Sequence, residues 1–326
     1  MRLSVLSSPA AKSRRREGFR LPMAYTLFAG LVALFVLGIT PAASAERIQV
    51  AYAGSMGVVM DRALGPSFAR DHSVAYEGIG QGAYGLARLI LSHQIRPDVF
   101  ISITPGPMKI LLEKEFVHVA YPIASTEMVI AYNPRGRFAE QLTAAAFGRT
   151  PWYEVLALPG FRFGRTDPTV DPQGRNIIFT LLLAERYYHA PDLAKRVLGS
   201  FENPAQIFSE GSLLSRLEAG QLDAASGYRS AVLSHDLPFI TLPAEINLSD
   251  ARLAETWYDH ARFTLKLPDG RRETEQSEPL VFYAAALRNA SNPSLAAAFV
   301  EFLRSPAARE MLRSHGYGEP KGTTLR

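Results

Sequence analysis

From residue 48 onward, short apolar runs alternate with amphipathic stretches, and this alternation limits the chain to an α/β architecture. Ile48–Ala53 reads as a strand, and a helical pattern follows from Val58 to Ala69. Strand-like Val74–Glu77, a helix with Leu86, Leu89 and Ile90 on one face, the strand Asp98–Ser102 and a helix from Met108 to Glu115 continue the repeat. Glu127–Tyr132 is long enough to pass from one lobe to another, and the pattern resumes beyond it around 161–165, 177–188, 213–219 and 224–228. The strand-like 280–287 and two helices, Pro293–Arg304 and Pro306–His315, close the chain. Each of these helices opens on a proline, where the missing N–H is one the helix leaves unpaired anyway. The expectation is two lobes, each a sheet flanked by helices: residues 46–130 with 260–326, and residues 131–259.

The first 45 residues read as an export signal. Arg14-Arg15-Arg16 precedes an apolar run from Met23 to Ile39, and Ala43-Ser44-Ala45 supplies a small-residue cleavage site. The run is at the short limit for a spanning helix, and cleavage before Glu46 is the expected outcome. There is no cysteine, which excludes a lipid-modified N-terminus and structural disulfides. The signal points to a periplasmic protein whose stability comes from its core alone.

Setting the leader aside changes the charge argument. It holds six of the basic residues and one acid, so 29 basic residues face 30 acidic ones in the remainder. The whole-chain pI near 9.3 therefore says nothing about phosphate backbones, and nucleic acid is not an expected partner.

In open α/β sheets, ligands sit where strands lead through loops into helix N-termini, whose free N–H groups and dipole favour anions. Gly54 and Ser55 follow the first strand: the glycine admits close backbone approach and the serine brings a hydroxyl. The same residues would also make an ordinary turn. Gly78 to Tyr84 is a second glycine-rich junction, in which Gly82 and Ala83 are the candidate contacts. Gly78-x-Gly80-x-x-Ala83 approximates a dinucleotide fingerprint, but Asp98 opens its strand instead of closing it, so a nucleotide cofactor is not expected. Asp171 stands before Pro172 and a helical pattern, which by itself describes a helix N-cap. Tyr228 follows a strand of small residues, and Glu245 lies in a polar turn; alone, these read as a core tyrosine and a solvated acid.

Taken in order, several segments resemble the tungstate/molybdate-binding periplasmic receptors of ABC transporters. They include Tyr52-Ala-Gly-Ser55, Pro97–Ser102, Glu127–Tyr132, Trp152–Leu156, Phe163-Gly-Arg-Thr-Asp-Pro-Thr-Val-Asp-Pro-Gln-Gly174, Gly227–Ser230, Leu242-Pro-Ala-Glu-Ile-Asn-Leu248 and Asn292–Leu303. The resemblance implies a two-lobed type II binding protein that takes a tetrahedral oxyanion between its lobes. It also implies a membrane permease as partner, a monomeric receptor, no cofactor and no catalysis. By motif, Asp171 and Glu245 would be the carboxylates that approach the metal of the bound oxyanion, with Gly54, Ser55, Gly82, Ala83 and Tyr228 around the oxo groups.

Such a pair repels a dianion unless the metal itself accepts carboxylate oxygen. Mo(VI) and W(VI) are hard, oxygen-seeking centres that can expand toward six-coordination, whereas sulfur in sulfate cannot. Facing carboxylates would therefore discriminate against sulfate. This chain departs from the resemblance at two places. Ala83 stands where a serine is usual, leaving the contact to backbone, Gln81 or Tyr84; Arg175 stands where an aromatic residue is common, within reach of ligand or of Asp171. If Arg175 neutralises Asp171, ordinary oxyanion binding, sulfate included, gains as the alternative; an oxyanion-sensing role is the alternative to transport. Ser102, Ser125 and Thr126 are further possible donors. An enzyme is not expected: the seven histidines form no close pair at ligand spacing, and no Gly-x-Ser-x-Gly or cysteine nucleophile is present.

Overall fold

The computed structural model describes residues 46–267 and 270–326, so the leader expected over 1–45 lies outside the described residues. Among the described residues, no helix is long and apolar enough to cross a membrane.

Two sheets organise the chain. The first combines β1 (Arg47–Ala53), β2 (Ala75–Gln81), β3 (Val99–Ser102), β4 (Tyr121–Ser125) and β11 (Val281–Ala286) in the order β2-β1-β3-β11-β4. Strands β2, β1 and β3 run parallel, and β11 pairs antiparallel with both β3 and β4. The second contains β5 (Met128–Tyr132), β6 (Phe163–Gly164), β7 (Ala224–Tyr228) and β8 (Phe239–Thr241) in the order β6-β7-β5-β8. Strands β3, β5 and β7 are buried at every position, which is why they read as unbroken apolar or small-residue runs instead of alternating ones.

The expected units are present, with shifts at their edges. A continuous helical segment runs from Gly57 to His72, with a π-helical turn at Met60–Leu64. Its Phe68 packs edge-on against Phe299 of the Pro293–Leu303 helix, 4.8 Å between centroids, tying the end of the chain to its beginning. The two terminal helices are capped by Asn292, which accepts from the Leu295 amide at 3.0 Å, and Ser305, which accepts from the Ala308 amide at 3.2 Å.

Gly78 and Gly80 lie inside β2 and not in a loop. A side chain at Gly80 would run into the ring of Tyr52, 2.7 Å from its Cε2, so this glycine serves packing between neighbouring strands. Only Gly82 sits at the junction, as N-cap of the helix Ala83–Leu91.

The chain crosses between the sheets at Thr126–Glu127, since β4 belongs to the first sheet and the whole of β5 to the second. It returns after a hairpin of β9 (Arg262–Lys266) and β10 (Arg272–Gln276). Phe263 of that hairpin packs on Phe179 and Phe201, at 4.8 and 5.1 Å between centroids, and so belongs with the second sheet. The crossings near residues 126 and 277 thus stand a few residues before 130 and well after 260. At the first crossing Thr126 Oγ1 and Ser230 Oγ lie 3.0 Å apart, pinning it to the second lobe.

Candidate functional site

The helix Pro172–Tyr187 points its N-terminus at the first lobe. Asp171 is its N-cap, extended in backbone, and accepts from the Gln173 amide at 2.8 Å. The local reading of Asp171 as a cap is therefore correct, and it does not exhaust the residue: the side chain is almost fully buried and faces a second carboxylate.

That second carboxylate is Glu210, not Glu245. Glu210 opens the helix Glu210–Glu218 and extends to the loop after β1, where it accepts from the Gly54 amide at 2.9 Å and the Ser55 amide at 2.7 Å. The approach is close enough that a methyl at position 54 would stand 2.5 Å from Glu210 Oε2 and displace the carboxyl from these amides. Gly82 meets the other carboxylate in the same way, since a side chain there would come within 2.7 Å of the Val170 carbonyl and 3.0 Å of Asp171 Cβ.

Glu245 is elsewhere. It lies in the short helix Ala244–Asn247, and its charge bears on Tyr188 and Tyr258. Tyr188 is the C-cap of the helix whose N-cap is Asp171, and sixteen helical residues at 1.5 Å each separate the two ends by about 24 Å. The Leu242–Leu248 segment has a structural task instead. Its Asn247 side-chain amide donates to Glu127 at the crossing and to the Leu242 carbonyl, and Tyr258 Oη donates to the Ala244 carbonyl at 2.7 Å.

Burial raises both Asp171 and Glu210 above the ordinary carboxyl range, and for Glu210 the charge of Asp171 adds to the shift. Two such groups cannot both ionise cheaply side by side, so without a compensating cation they hold a proton between them. Hydroxyls stand around them. Ser55 Oγ, beside Glu210, and Thr166 Oγ1, beside Asp171, are buried, and each hydroxyl favours the ionised form of the carboxyl it faces. Tyr228 Oη accepts from Asn176 Nδ2 at 2.9 Å, which leaves its own proton to donate. Burial first, then the nearby Asp171, push the Tyr228 phenol well up, so it remains a donor. Three hydroxyls around one buried carboxyl pair can turn their protons to the acceptor oxygens of a ligand. The clefts on either side of Glu210 are lined by Gly54, Ser55 and Gln173 on one and by Gly82, Thr166 and Asp171 on the other.

Of the residues expected from sequence, Gly54, Ser55, Gly82, Asp171 and Tyr228 come together. The Ala83 methyl is fully buried in the core, so only its backbone can contribute. Ser102 Oγ and Ser125 Oγ donate to the carbonyls of Thr104 and Glu319, and neither joins this group. Arg175 pairs with Glu275 of β10 and donates from Nε to the Pro168 carbonyl at 2.8 Å, so it does not neutralise Asp171. Glu210 has no sequence signal beyond an acid in the first turn of a helix, a placement the helix dipole accounts for.

The family of bacterial extracellular solute-binding proteins matches residues 48–318. A putative ABC transporter molybdenum-binding protein of Haloferax volcanii is 31% identical over 282 residues, 86% of this chain and 83% of that protein. An uncharacterized solute-binding protein of Petrotoga mobilis is 32% identical over 66% of each chain. The molybdate/tungstate-binding protein WtpA of Pyrococcus abyssi is 30% identical over 59% of each. The chain thus spans between about three-fifths and four-fifths of the length of these relatives. Among solved structures, the periplasmic molybdate-binding protein of Azotobacter vinelandii shares the fold with a TM-score of 0.61 at 15% identity, covering 84% of this chain and all of that one. The match over nearly all of the described residues decides the matter: this chain belongs to the bacterial extracellular solute-binding proteins.

Proposed function

We propose that the protein is the receptor of an ABC importer for tungstate or molybdate, and that Asp171 and Glu210 supply the two carboxylate oxygens that complete the metal's coordination. The carboxyl pair, buried and surrounded by the hydroxyls of Ser55, Thr166 and Tyr228, is the observation that carries this reading. A bound dianion without an expandable centre would meet two negative charges, a penalty of several kcal/mol in a partly desolvated cleft. A W(VI) or Mo(VI) centre turns the same charges into ligands. Ser55, Thr166 and Tyr228 then donate to oxo groups, and the Gly54 and Ser55 amides, which Glu210 engages here, become available as its carboxylate turns to the metal.

The ion pair between Arg175 and Glu275 supports coordination over simple charge pairing, because Asp171 is not neutralised by an arginine. Relatives named for molybdenum and for molybdate/tungstate support the ligand class. The role is delivery to a membrane permease from the periplasm by a monomer, without cofactor or catalysis.

Calorimetric titration of the chain from Glu46 onward tests this reading. Tungstate and molybdate should bind at least ~100-fold more tightly than sulfate, a difference of about 2.7 kcal/mol. Sulfate binding of equal strength would overturn the coordination mechanism.

A further inference from the structure

Arg175 departs from the pattern that this chain otherwise resembles, and the structure gives it a place of its own. Its guanidinium lies over the ring of Tyr84, 3.6 Å from the centroid. Tyr84 stands in the first turn of the Ala83–Leu91 helix of the first lobe, whereas Arg175 is on the second lobe's Pro172–Tyr187 helix. The stack therefore joins the two lobes, two residues from Gly82 and one helical turn from Asp171.

Both faces of the arrangement are prepared. Behind Arg175, on the second lobe, Glu275 pairs with the guanidinium, and both side chains are nearly buried, at 4% and 9% exposure. Behind Tyr84, on the first lobe, the ring rests against Gly106, where a methyl group would overlap the phenol oxygen. Two further bonds cross the lobes beside the stack: the Gly85 amide to the Val170 carbonyl at 3.0 Å, and Arg88 Nη2 to the Thr169 carbonyl at 2.7 Å. Glu278, on the returning crossing, holds the first lobe through the Gly106 amide and Lys109 Nζ at 3.1 and 2.8 Å.

We propose that Tyr84 and Arg175 form a latch between the lobes that sets how long a bound oxyanion is retained. Arg175 and Glu275 both belong to the second lobe and stay paired when the lobes part; the contact with Tyr84 does not. An interaction present in only one of two conformations shifts the balance between them by its full free energy. A cation over an aromatic face shielded from water is the strong form of this contact. The latch touches no oxo group, so it acts on the rate of opening and not on the choice of anion. The retained ligand rests on the function proposed above; the lobe-to-lobe contact does not.

The test uses the chain from Glu46 onward with Tyr84→Leu and Tyr84→Phe. Fluorophores placed on the two lobes report their separation without ligand, and stopped-flow displacement reports tungstate release. Tyr84→Leu should populate the open form more and release tungstate ~10-fold faster, equivalent to about 1.4 kcal/mol, with the tungstate-to-molybdate preference unchanged. Tyr84→Phe should behave as the parent, because the ring face and not the hydroxyl carries the contact. A merely structural tyrosine would lower thermal stability in Tyr84→Leu and leave lobe separation where it was. Unchanged separation and release in Tyr84→Leu overturn the latch, as does a Tyr84→Phe variant that matches Tyr84→Leu. If the parent binds neither tungstate nor molybdate, the ligand assignment fails, and the lobe separation still decides the latch.

Discussion

One turn of a single helix separates two buried charge arrangements of opposite kind. At its N-cap, Asp171 faces Glu210, like charge against like; four residues on, Arg175 meets Glu275, opposite charges with stacking and backbone partners. In the second arrangement the charges offset each other, although Glu275 Oε1 has no hydrogen-bond partner. In the first they add, and no cation of the protein stands against them. Within one structure, uncompensated like charges mark the place where a ligand completes the set, while a paired ion marks a place that holds the ligand site in position.

Breaking the paired arrangement should have the largest effect on stability. Arg175→Ala leaves Glu275 buried and uncompensated, which costs about 3–5 kcal/mol; urea unfolding at neutral pH measures it. Glu275 is already held above the ordinary carboxyl range by burial, with Arg175 the main opposing influence, so the loss should shrink in acid as Glu275 protonates.

Next comes the unpaired arrangement, through binding. Glu210→Ala should weaken tungstate by ~100-fold or more, about 2.7 kcal/mol, in the same titration that shows tight binding by the parent chain. Retained affinity would remove Glu210 from the site.

Acidity sharpens the contrast further. Asp171 is raised to about 7 by burial, and coordination requires it ionised, so binding should take up tungstate and release a proton. Affinity should therefore fall as pH drops from 8 to 6, by up to ~10-fold per pH unit for one linked proton, and the heat of binding should depend on the buffer. Stability without ligand runs the other way. A carboxyl raised on folding binds its proton more tightly in the native state, so its contribution is fully present below the unfolded value near 4 and is lost as pH rises through about 7. Asp171→Asn, which keeps a good N-cap, should accordingly stabilise the protein without ligand most at pH 8, clearly less at pH 5, and not at all once the pH falls below the unfolded value near 4. Thermal melts at the two pH values compare them.

The smallest effect is expected at Glu245. Glu245→Ala should leave tungstate affinity within about twofold and stability within about 0.5 kcal/mol, as a half-exposed acid outside the site. A large loss of binding would return Glu245 to the ligand set.

Much of the fold was legible because its signals are local. The buried strands β3, β5 and β7 carry their burial in composition, and the terminal helices carry theirs in Asn292-Pro293 and Ser305-Pro306. The crossings were less legible. β5 follows β4 after two residues, and only hydrogen-bond pairing assigns them to different sheets. Gly78 and Gly80 were misplaced for a similar reason, since a glycine that admits the Tyr52 ring and a glycine that frees a loop look the same in sequence.

The candidate site divides along the same line. Asp171 was determined by its own neighbours: Asp-Pro ahead of a helical pattern makes a cap, and the cap directs the carboxyl to the helix N-terminus. The glycine and serine after the first strand were likewise set by the rule that such loops face the cleft. Which acid faces Asp171 was decided only in three dimensions. Glu245, in a motif that resembles a known one, sits at the other end of the helix; Glu210, in no motif, is brought across by the lobe contact to the Gly54 and Ser55 amides. The reason is physical: a cap is a bond between residues two apart, whereas a carboxyl pair 39 residues apart exists only once the second lobe has folded, and the Gly54 and Ser55 amides reach Glu210 only when the lobes meet.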